Sequence, residues 1–421
     1  LSDGVLFMSD ARSSSKGTLF GIHYAWIVCI ACTLIMYGNN GITGSMFSLY
    51  QPFIKDMYGI TNTQMSFILT TRSIMSLLAV VVCSFYYKVF SIRIGMLVAS
   101  ILCGGSFLLF GYSETFPMFL LSGVLLGLGS GFGTNIPVSM ALRLWFNKKR
   151  KLAMSITVLA GSVGLLGLPS VLTNIIEGVS LRAGFTVNAA IVFAVTVIAI
   201  ILMRNSPEEM GCEPYGSRGE VDADKRDASE RGKLENIDWA ILGAVCIAIG
   251  IICCTSYSYL SLFLSFEGVS AEDIALVLSV TGLSVGTGKM CFGALSEKFS
   301  SYACNTLYFV ALFVGISLMT LFVHNTAVLF VAIALLGFGS PLASVGFVSW
   351  GWDLTSEDQN DRAVQIMQIC LYVGMVGFDF LPGVIADLIG GSYRPIFMGY
   401  ALLCIPTFIG IQYLYRKNRR R

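Results

Sequence analysis

Residues 204–236 begin RNSPEEMGCEPYGSRG and form the longest polar stretch between the first and last apolar segments of the chain. Six apolar segments precede this stretch and six follow it, each close to the ~20 residues that one membrane-spanning helix needs. The pattern predicts an all-α integral membrane protein with twelve transmembrane helices, built as two six-helix bundles. The predicted spans, numbered 1 to 12, are residues 22–50, 65–87, 94–111, 117–142, 152–176, 184–203, 237–265, 272–295, 303–323, 326–350, 363–388 and 396–415.

The composition argues against a soluble enzyme. Of the 421 residues, 55% are hydrophobic and 12% are charged, whereas an average soluble domain has about 25% charged residues. The sequence contains no nucleotide-binding loop and no metal-ligand spacing, so we expect no enzyme activity, no cofactor and no metal. Most of the twelve cysteines fall inside apolar segments, where cysteine behaves as a small hydrophobe.

The distribution of Lys and Arg predicts the orientation in the membrane. Basic residues concentrate in the loop 143–151 and in the last six residues, whereas the loops predicted on the other side carry Lys55, Arg182 and Arg394. Cytoplasmic loops carry the excess of Lys and Arg, so both termini are predicted to be cytoplasmic in a multi-pass protein of the plasma (inner) membrane. The expected regions are a cytoplasmic tail (1–21), the N-terminal bundle (22–203), a cytoplasmic linker (204–236), the C-terminal bundle (237–415) and a basic cytoplasmic tail (416–421).

The two halves repeat one another. Lys88 follows span 2 and Lys298 follows span 8, and the two positions differ by 210 residues. The loops 143–151 and 351–362 are separated by about the same distance. Internal duplication of this kind is common in secondary transporters. In span 4, glycines recur every fourth residue at Gly123, Gly127 and Gly131, a spacing that allows membrane helices to pack closely.

The loop after span 8 resembles a family signature. It reads Gly293-Ala294-Leu295-Ser296-Glu297-Lys298 and is similar to the loop motif of the major facilitator superfamily. The resemblance implies the twelve-helix fold and a latch between helix bundles, formed here by Gly293, Glu297 and Lys298. The copy after span 2 departs from the signature, with Cys83 in place of the glycine and Tyr87 in place of the acid.

Three further stretches resemble the branch that contains oxalate:formate antiporters and monocarboxylate transporters. They are the basic segment from Arg143 to Ala153, the glycine-rich run from Gly161 to Gly167, and Lys289 within span 8. In that branch the cation of span 8 contacts a substrate carboxylate, so the resemblance implies the same role for Lys289. Oxalate transporters also carry a lysine in the eleventh helix, where residues 368–372 have no cation, and a monoanion is therefore favoured.

The family fold implies that spans 1, 4, 7 and 10 line a central cavity. An amide without a hydrogen-bond partner costs a few kcal/mol in hydrocarbon, so buried asparagines should face water, substrate or another helix. Hydrogen bonding between helices is the alternative role for each of these residues. The candidate cavity residues are Tyr37, Asn39, Asn40, Asn135, Tyr257 and Trp350.

Two cations and one acid lie deep within the predicted spans. A charge at mid-membrane costs roughly 2.5–3.5 kcal/mol on insertion scales, which favours a partner or a functional role. Lys289 lies ~9 Å from one end of span 8, and its long side chain could instead extend to the surface. Arg72 in span 2 and Asp379 in span 11 lie at similar depths, so we predict that they pair as a coupling or gating switch. A permanent structural pair is the alternative. Pro382, close to Asp379, is predicted to kink span 11.

The sequence therefore favours a secondary transporter of a small, monocarboxylate-like organic anion, either proton-coupled or exchanging one anion for another. One alternative is a proton-coupled exporter of cationic or amphipathic compounds, and another is a ligand sensor that does not transport. The expected partners are the organic anion, protons and the lipid bilayer. No nucleic acid is expected, and the protein is expected to act as a monomer.

Overall fold

The computed structural model describes residues 18–19, 22–216, 235–299, 301–355 and 359–419. It contains twelve helical segments that are long and apolar enough to cross a membrane, and these confirm the predicted all-α, twelve-span fold. Most of the predicted N-terminal tail, the linker residues 217–234 and the last two residues lie outside the described residues. A two-residue antiparallel pair, Thr18–Leu19 with Ile22–His23, precedes span 1.

The N-terminal half contains spans 1 to 6. Span 1 consists of the α-helices Tyr24–Met36 and Met46–Tyr58 with the π-helical segment Tyr37–Ser45 between them. Spans 2, 3 and 6 are single α-helices, Asn62–Val89, Ile92–Tyr112 and Leu181–Leu202. Spans 4 and 5 are each divided into two α-helices, Phe116–Phe132 with Asn135–Trp145 and Arg150–Val163 with Leu168–Gly178.

The C-terminal half follows a short 3₁₀ turn, Pro207–Met210. Span 7 consists of Asn236–Ile249, the π-helical segment Gly250–Thr255 and Ser256–Phe266, and span 10 consists of Thr326–Gly339, the 3₁₀ segment Ser340–Ala343 and Val345–Leu354. Spans 8, 9 and 12 are single α-helices, Ala271–Lys298, Ser301–Leu321 and Arg394–Arg419. Span 11 is divided into Asn360–Asp379 and Leu381–Leu388.

Span 1 is longer than its predicted extent of residues 22–50. The sequence becomes polar after Tyr50, which ends the apolar run, but the helix continues to Tyr58 with Gln51 and Pro52 buried. Gly59 ends it in the left-handed conformation at φ 61°, which glycine adopts without steric cost. Gln51 is therefore covered by neighbouring helices, whereas Asp56 near the end of the helix is exposed.

Polar caps define where several spans begin. The Thr61 hydroxyl accepts a hydrogen bond from the Gln64 backbone N–H, and the Gln64 side chain accepts one from the Thr61 backbone N–H, so the two residues form a capping box at the start of span 2. Ser91, Ser180 and Ser270 cap spans 3, 6 and 8 in the same position. Such caps satisfy backbone N–H groups that have no partner within the helix.

The helices are interrupted at matching positions in the two halves. Spans 1 and 7 both pass through π-helical segments, which begin at Tyr37 and Gly250. Span 4 breaks before Asn135 and span 10 passes through the 3₁₀ segment Ser340–Ala343. Spans 5 and 11 also break, and the break in span 11 directly precedes Pro382. The predicted kink in span 11 is present, and the duplication extends to these irregularities.

Glycines allow span 4 to lie close to span 2. A Cβ atom added at Gly131 would lie 2.6 Å from the Ser76 carbonyl oxygen, and one added at Gly127 would overlap the carbonyl oxygen of Arg72. A Cβ at Gly123 would lie 3.2 Å from the Ile68 carbonyl oxygen. The every-fourth-residue pattern therefore corresponds to a close contact between helix backbones.

Gly127→Ala should destabilise the protein by roughly 1–3 kcal/mol, because the added methyl group cannot fit against the span 2 backbone. Gly105→Ala is the matched control, since a Cβ there meets no atom within 4 Å and alanine is the better helix former. Thermal unfolding in detergent, followed by fluorescence, measures both variants. Equal unfolding temperatures for the two would contradict the packing argument.

Among the described residues, close contacts between the two halves of the chain lie at one end of the molecule. Spans 1 and 7 begin at residues 24 and 236, and spans 6 and 12 end at residues 202 and 419. The distal end is the end of the molecule opposite these four residues. Near the distal end, span 2 packs against span 11: the rings of Phe67 and Phe380 are 4.8 Å apart, and Gly383 leaves no room for a Cβ against Asn62. Closer to mid-membrane, Gly282 of span 8 packs against Leu165 of span 5. The two bundles are therefore closed against each other over the distal half.

Candidate functional site

Lys289 lies where span 8 crosses span 5. Its Nζ atom donates a hydrogen bond to the Ser162 hydroxyl at 3.1 Å. Within the described part of the chain, this ammonium forms no ion pair with a carboxylate. Lys289 is half-buried, and a cation within a span whose hydrogen-bond partner is one hydroxyl is incompletely compensated. It can therefore accept an anion as its missing partner.

Asn40 reaches the same region from the π-helical segment of span 1. A Cβ added at Gly161 would lie 2.6 Å from the Asn40 amide nitrogen, so this side chain lies directly over the glycine that precedes Ser162. The backbones of Gly41 and Gly164 are also in close contact. Spans 1 and 5 therefore bring the Asn40 amide near the Ser162 hydroxyl that binds Lys289.

Span 5 is broken beside this cluster. Its first helix ends at Val163 and its second begins at Leu168, with Gly167 at φ 72° between them. The glycines of residues 161–167 permit both the positive φ angle and the approach of span 1. Transporter sites often form where membrane helices are interrupted, because backbone groups are freed there.

The other predicted cavity residues are distributed over several environments. Asn39 is fully buried and donates to the Gly133 carbonyl oxygen at 3.1 Å, which joins spans 1 and 4. The Tyr257 hydroxyl is 3.3 Å from the Ser340 hydroxyl, which joins spans 7 and 10. Tyr37 is half-buried against the N-terminal core, and Asn135 is exposed. Asn39 and Tyr257 thus have the interhelical hydrogen bonds that were the alternative to substrate contact.

Trp350 does not line a cavity, contrary to the prediction. It is fully buried, its indole N–H donates to the Asn305 side-chain oxygen at 2.9 Å, and its ring stacks on Phe309. Both contacts lie in span 9. The hydropathy of the sequence places Trp350 in span 10 but does not show on which face of the helix it lies. In the structure it lies on the face that packs into the core of its own bundle.

Arg72 and Asp379 do not form the predicted direct ion pair in this conformation. The Arg72 guanidinium donates to the Gly44 carbonyl oxygen at 3.4 Å, and the Asp379 carboxylate accepts from the Ser73 hydroxyl at 2.5 Å. The two charges are nevertheless close enough to interact electrostatically. The hydroxyl of the adjacent Ser73, rather than the Arg72 guanidinium, therefore donates to the Asp379 carboxylate.

The predicted latch residues Gly293, Glu297 and Lys298 belong to the last turns of span 8, which ends at Lys298. The side chains of Glu297 and Lys298 and the surroundings of Gly293 lie outside the described part of the structure. The latch therefore stays a prediction.

The distal end contains a polar contact that the sequence did not predict. The Asp387 carboxylate accepts hydrogen bonds from the Asn62 amide at 2.7 Å, the Thr63 backbone N–H at 2.8 Å and the Thr63 hydroxyl at 2.5 Å. A carboxylate at the start of span 2 is also favoured by the helix dipole. In the sequence, the pair Asn62-Thr63 at a helix start is a signal for such a contact. Its partner, Asp387, could not be inferred because it lies more than 300 residues further along the chain.

The linker is fixed to the N-terminal bundle where it begins. The Tyr215 carbonyl oxygen accepts from the backbone N–H groups of Asn147 and Lys148 at 2.9 and 3.1 Å. The Tyr215 ring lies against His23 and Trp26. Burial lowers the pKa of His23, and a hydrogen bond with the Glu213 backbone opposes that shift. The linker thus contacts the basic loop between spans 4 and 5.

Two overlapping matches to a model of the Major Facilitator Superfamily together cover residues 29–421, the first over residues 29–378 and the second over residues 245–421. The chain belongs to the Major Facilitator Superfamily. The second match begins in the C-terminal half, in agreement with the duplicated architecture. Membership in this family accounts for the twelve spans.

Two curated relatives match parts of the chain. An uncharacterized MFS-type transporter, YhjX, of Escherichia coli (strain K12) is 27% identical over 251 residues, which is 59% of this chain and 61% of the relative. Monocarboxylate transporter 12 of Mus musculus is 20% identical over 298 residues, which is 65% of this chain and 61% of the relative. The chain thus matches about three fifths of the length of each relative.

Solved structures of transporters share the fold. A mutant of the nucleoside transporter NupG superposes with a TM-score of 0.71 at 10% sequence identity, covering 92% of this chain and 100% of that structure. At this identity the likeness shows the fold and carries no information about the substrate.

Proposed function

We propose that this protein is a secondary transporter that moves a small, monocarboxylate-like organic anion by alternating access. The observation that carries this proposal is the Lys289 ammonium, which lies within a membrane span with the Ser162 hydroxyl as its hydrogen-bond partner. An anion that binds there supplies the missing negative charge. Charge-assisted hydrogen bonds are worth about 1.5–3 kcal/mol each.

The proposed binding group combines both bundles. Lys289 belongs to the C-terminal half, whereas Ser162 and Asn40 belong to the N-terminal half. A carboxylate between them would accept hydrogen bonds from the Lys289 ammonium and the Asn40 amide. Because the two bundles must move relative to one another in alternating access, an anion held by both can couple its binding to that motion.

The preference for a monoanion rests on the number of free cations. Arg72 is the other cation in mid-membrane, and it lies within electrostatic range of Asp379, which offsets its charge. Of the two mid-membrane cations, Lys289 is thus the one whose charge no carboxylate of the described residues balances. The relative named as a monocarboxylate transporter agrees with this preference, although its 20% identity is low.

Export of cationic or amphipathic compounds is the second candidate. It is favoured by Asp379, whose Oδ1 atom is buried without a hydrogen-bond partner among the described residues. A cationic substrate could bind such a carboxylate. The closeness of Arg72 argues against this candidate, because a like charge beside the site repels a second cation.

A thermal-shift screen of the purified protein against small monocarboxylates and dicarboxylates tests the anion proposal. A ligand at 100 times its dissociation constant stabilises the folded state by ~2.7 kcal/mol, so we expect a rise in unfolding temperature with a monocarboxylate. Lys289→Ala should abolish this rise, whereas Lys88→Ala, which removes an exposed cation at the end of span 2, should keep it. A response to cationic compounds instead, lost in Asp379→Asn, would support the exporter.

A further inference from the structure

A groove opens between spans 3 and 6 at the end of the molecule opposite the distal end, and its volume is about 360 Å³. Deeper in the membrane the two spans are in direct contact, because a Cβ added at Gly104 would lie 2.6 Å from the Phe193 ring. The groove therefore lies where the two helices separate. The residues that line it are Ser91, Arg93, Ile94, Leu97, Ile200 and Asn205.

Arg93 is held in a fixed position at the wall of this groove. It is the second residue of span 3, and its Nε atom donates a hydrogen bond to the carbonyl oxygen of Ile200, near the end of span 6, at 3.0 Å. Its backbone N–H donates to the Asn205 side-chain oxygen at 3.0 Å. The N–H groups at the tip of its guanidinium form no hydrogen bond or ion pair with any described residue. Arg93 is thus pre-positioned, and most of its donors remain available.

Arg182 makes the corresponding contact at the distal end of the same two spans. Its Nε atom donates to the carbonyl oxygen of Gly111, near the end of span 3, at 3.2 Å. Its guanidinium also lies 3.8 Å from the Glu114 carboxylate and 4.6 Å from the centre of the Tyr112 ring. Arg93 has neither an acidic nor an aromatic partner among the described residues. The comparison indicates that an anion from outside the chain completes the site at Arg93.

The other charged groups near the groove are already engaged. Arg204 donates to two carbonyl oxygens at the end of span 6, both at 2.9 Å. The Glu209 carboxylate accepts from the backbone N–H and the side-chain amide of Asn205 at 3.1 and 2.9 Å. Among the described residues it forms no ion pair. Glu209 therefore does not compensate the charge of Arg93.

The apolar side of the groove continues towards mid-membrane. Ile94 and Ile101 of span 3 are both exposed, and Leu97 lies between them on the same face of the helix. Val197 and Ile201 of span 6 are exposed as well. A cation at the end of two spans thus lies above an apolar surface that both spans contribute. This arrangement matches a molecule with a charged head and a hydrocarbon chain rather than a small soluble anion.

We propose that this groove binds an anionic phospholipid, with the phosphate on the free N–H groups of Arg93 and an acyl chain along Leu97 and Ile200. A guanidinium presents paired N–H groups that match two phosphate oxygens, and basic pockets between membrane helices bind anionic lipid headgroups. The Ser91 hydroxyl accepts from the Ile94 backbone N–H at 3.4 Å and keeps its own proton to donate to the phosphate. The bound lipid joins the ends of spans 3 and 6, independently of the transported substrate.

Thermal unfolding in a neutral detergent tests the lipid site with short-chain phosphatidylglycerol as the probe. The unfolding temperature of the unmodified protein should rise with lipid concentration, and Arg93→Gln should weaken the apparent affinity by at least about tenfold. Arg182→Gln is the matched control, because it removes the cation that makes the same contact beside an acid of the chain, and it should keep the full affinity. Phosphatidylcholine of the same chain length and inorganic phosphate should each give a smaller rise.

Leu97→Trp is a second variant, which keeps the test valid even where Arg93→Gln does not fold. The larger side chain should fill the apolar part of the groove and weaken phosphatidylglycerol binding while the guanidinium stays in place. Equal rises with phosphatidylglycerol and phosphatidylcholine, or with inorganic phosphate alone, would overturn the proposal. So would unchanged phosphatidylglycerol affinity in Leu97→Trp. A lower unfolding temperature of Arg93→Gln without lipid, together with an unchanged lipid response, would show that Arg93 only caps span 6.

Discussion

Lys289→Met should reduce anion uptake by roughly 10- to 100-fold, the factor expected when one charge-assisted hydrogen bond of about 1.5–3 kcal/mol is removed. Methionine is apolar and unbranched like the lysine stem, so it should fill the same space beside Ser162. Lys289→Ala should give a similar loss, and Lys289→Arg should retain part of the uptake because it keeps the charge. Initial rates of labelled monocarboxylate uptake into liposomes measure the effect.

Stability measurements separate this role from a structural one. The ammonium is half-buried and its hydrogen-bond partner is the Ser162 hydroxyl, and replacing a poorly compensated charge inside a protein with an apolar side chain is often neutral or stabilising. We therefore expect Lys289→Met to unfold at the same or a higher temperature than the unmodified protein. A lower unfolding temperature with unchanged uptake would show that Lys289 only joins spans 5 and 8.

A control variant on the same helix completes the comparison. Thr287 is exposed and donates to the Leu283 carbonyl oxygen of its own helix. Thr287→Ala should therefore leave uptake within about twofold of normal, as expected for a surface substitution of this kind. A loss as large as that of Lys289→Met would indicate that span 8 as a whole, rather than its cation, is sensitive to change.

The number and order of the spans could be predicted because hydrocarbon imposes a simple rule. Each crossing needs about 20 apolar residues with internally satisfied backbone groups, and the sequence shows twelve such segments. The rule is less informative at the ends of helices: span 1 continues past Tyr50 through a polar segment in which Gln51 is buried and Asp56 is exposed. The π-helical segments of spans 1 and 7 were not predicted, because hydropathy does not distinguish them from α-helix.

The candidate site was predicted less completely, for a geometric reason. Lys289 could be selected because a lone buried cation is costly, but its partner Ser162 is a common residue type in membrane helices and gave no separate signal. Trp350 was selected by residue type and turned out to face the core. Which face of an apolar helix meets a cavity depends on the packing of distant segments, and a single sequence does not contain that information in its local pattern.

Arg72 and Asp379 show both the strength and the limit of depth arguments. The two residues lie at matching depths in spans 2 and 11, and their charges are close enough to interact electrostatically in this structure. The argument did not resolve the difference between Arg72 and the adjacent Ser73, which is the residue that donates to the carboxylate. A direct pair between Arg72 and Asp379 therefore stays a prediction for another conformation of the transport cycle.

Arg72→Ala should be destabilising, by roughly 1–3 kcal/mol, because it removes the nearby positive charge that offsets the buried carboxylate of Asp379. The double variant Arg72→Ala with Asp379→Asn should recover most of this loss, since the amide is uncharged and has nearly the same shape. Unfolding temperatures of the two single variants and the double variant form a double-mutant cycle that isolates the coupling between the two residues.

The dependence on pH gives this cycle a second readout. The loss in Arg72→Ala should be smaller at about pH 5.5 than at about pH 7.5, because a protonated carboxyl group has no charge that requires compensation. In the double variant the difference between the two pH values should disappear. Additive effects in the cycle, together with an equal loss at both pH values, would show that the two residues act independently. Arg72 would then be free to serve as a second anion-binding group, and the preference for a monoanion would have to be abandoned in favour of a dicarboxylate held between Arg72 and Lys289.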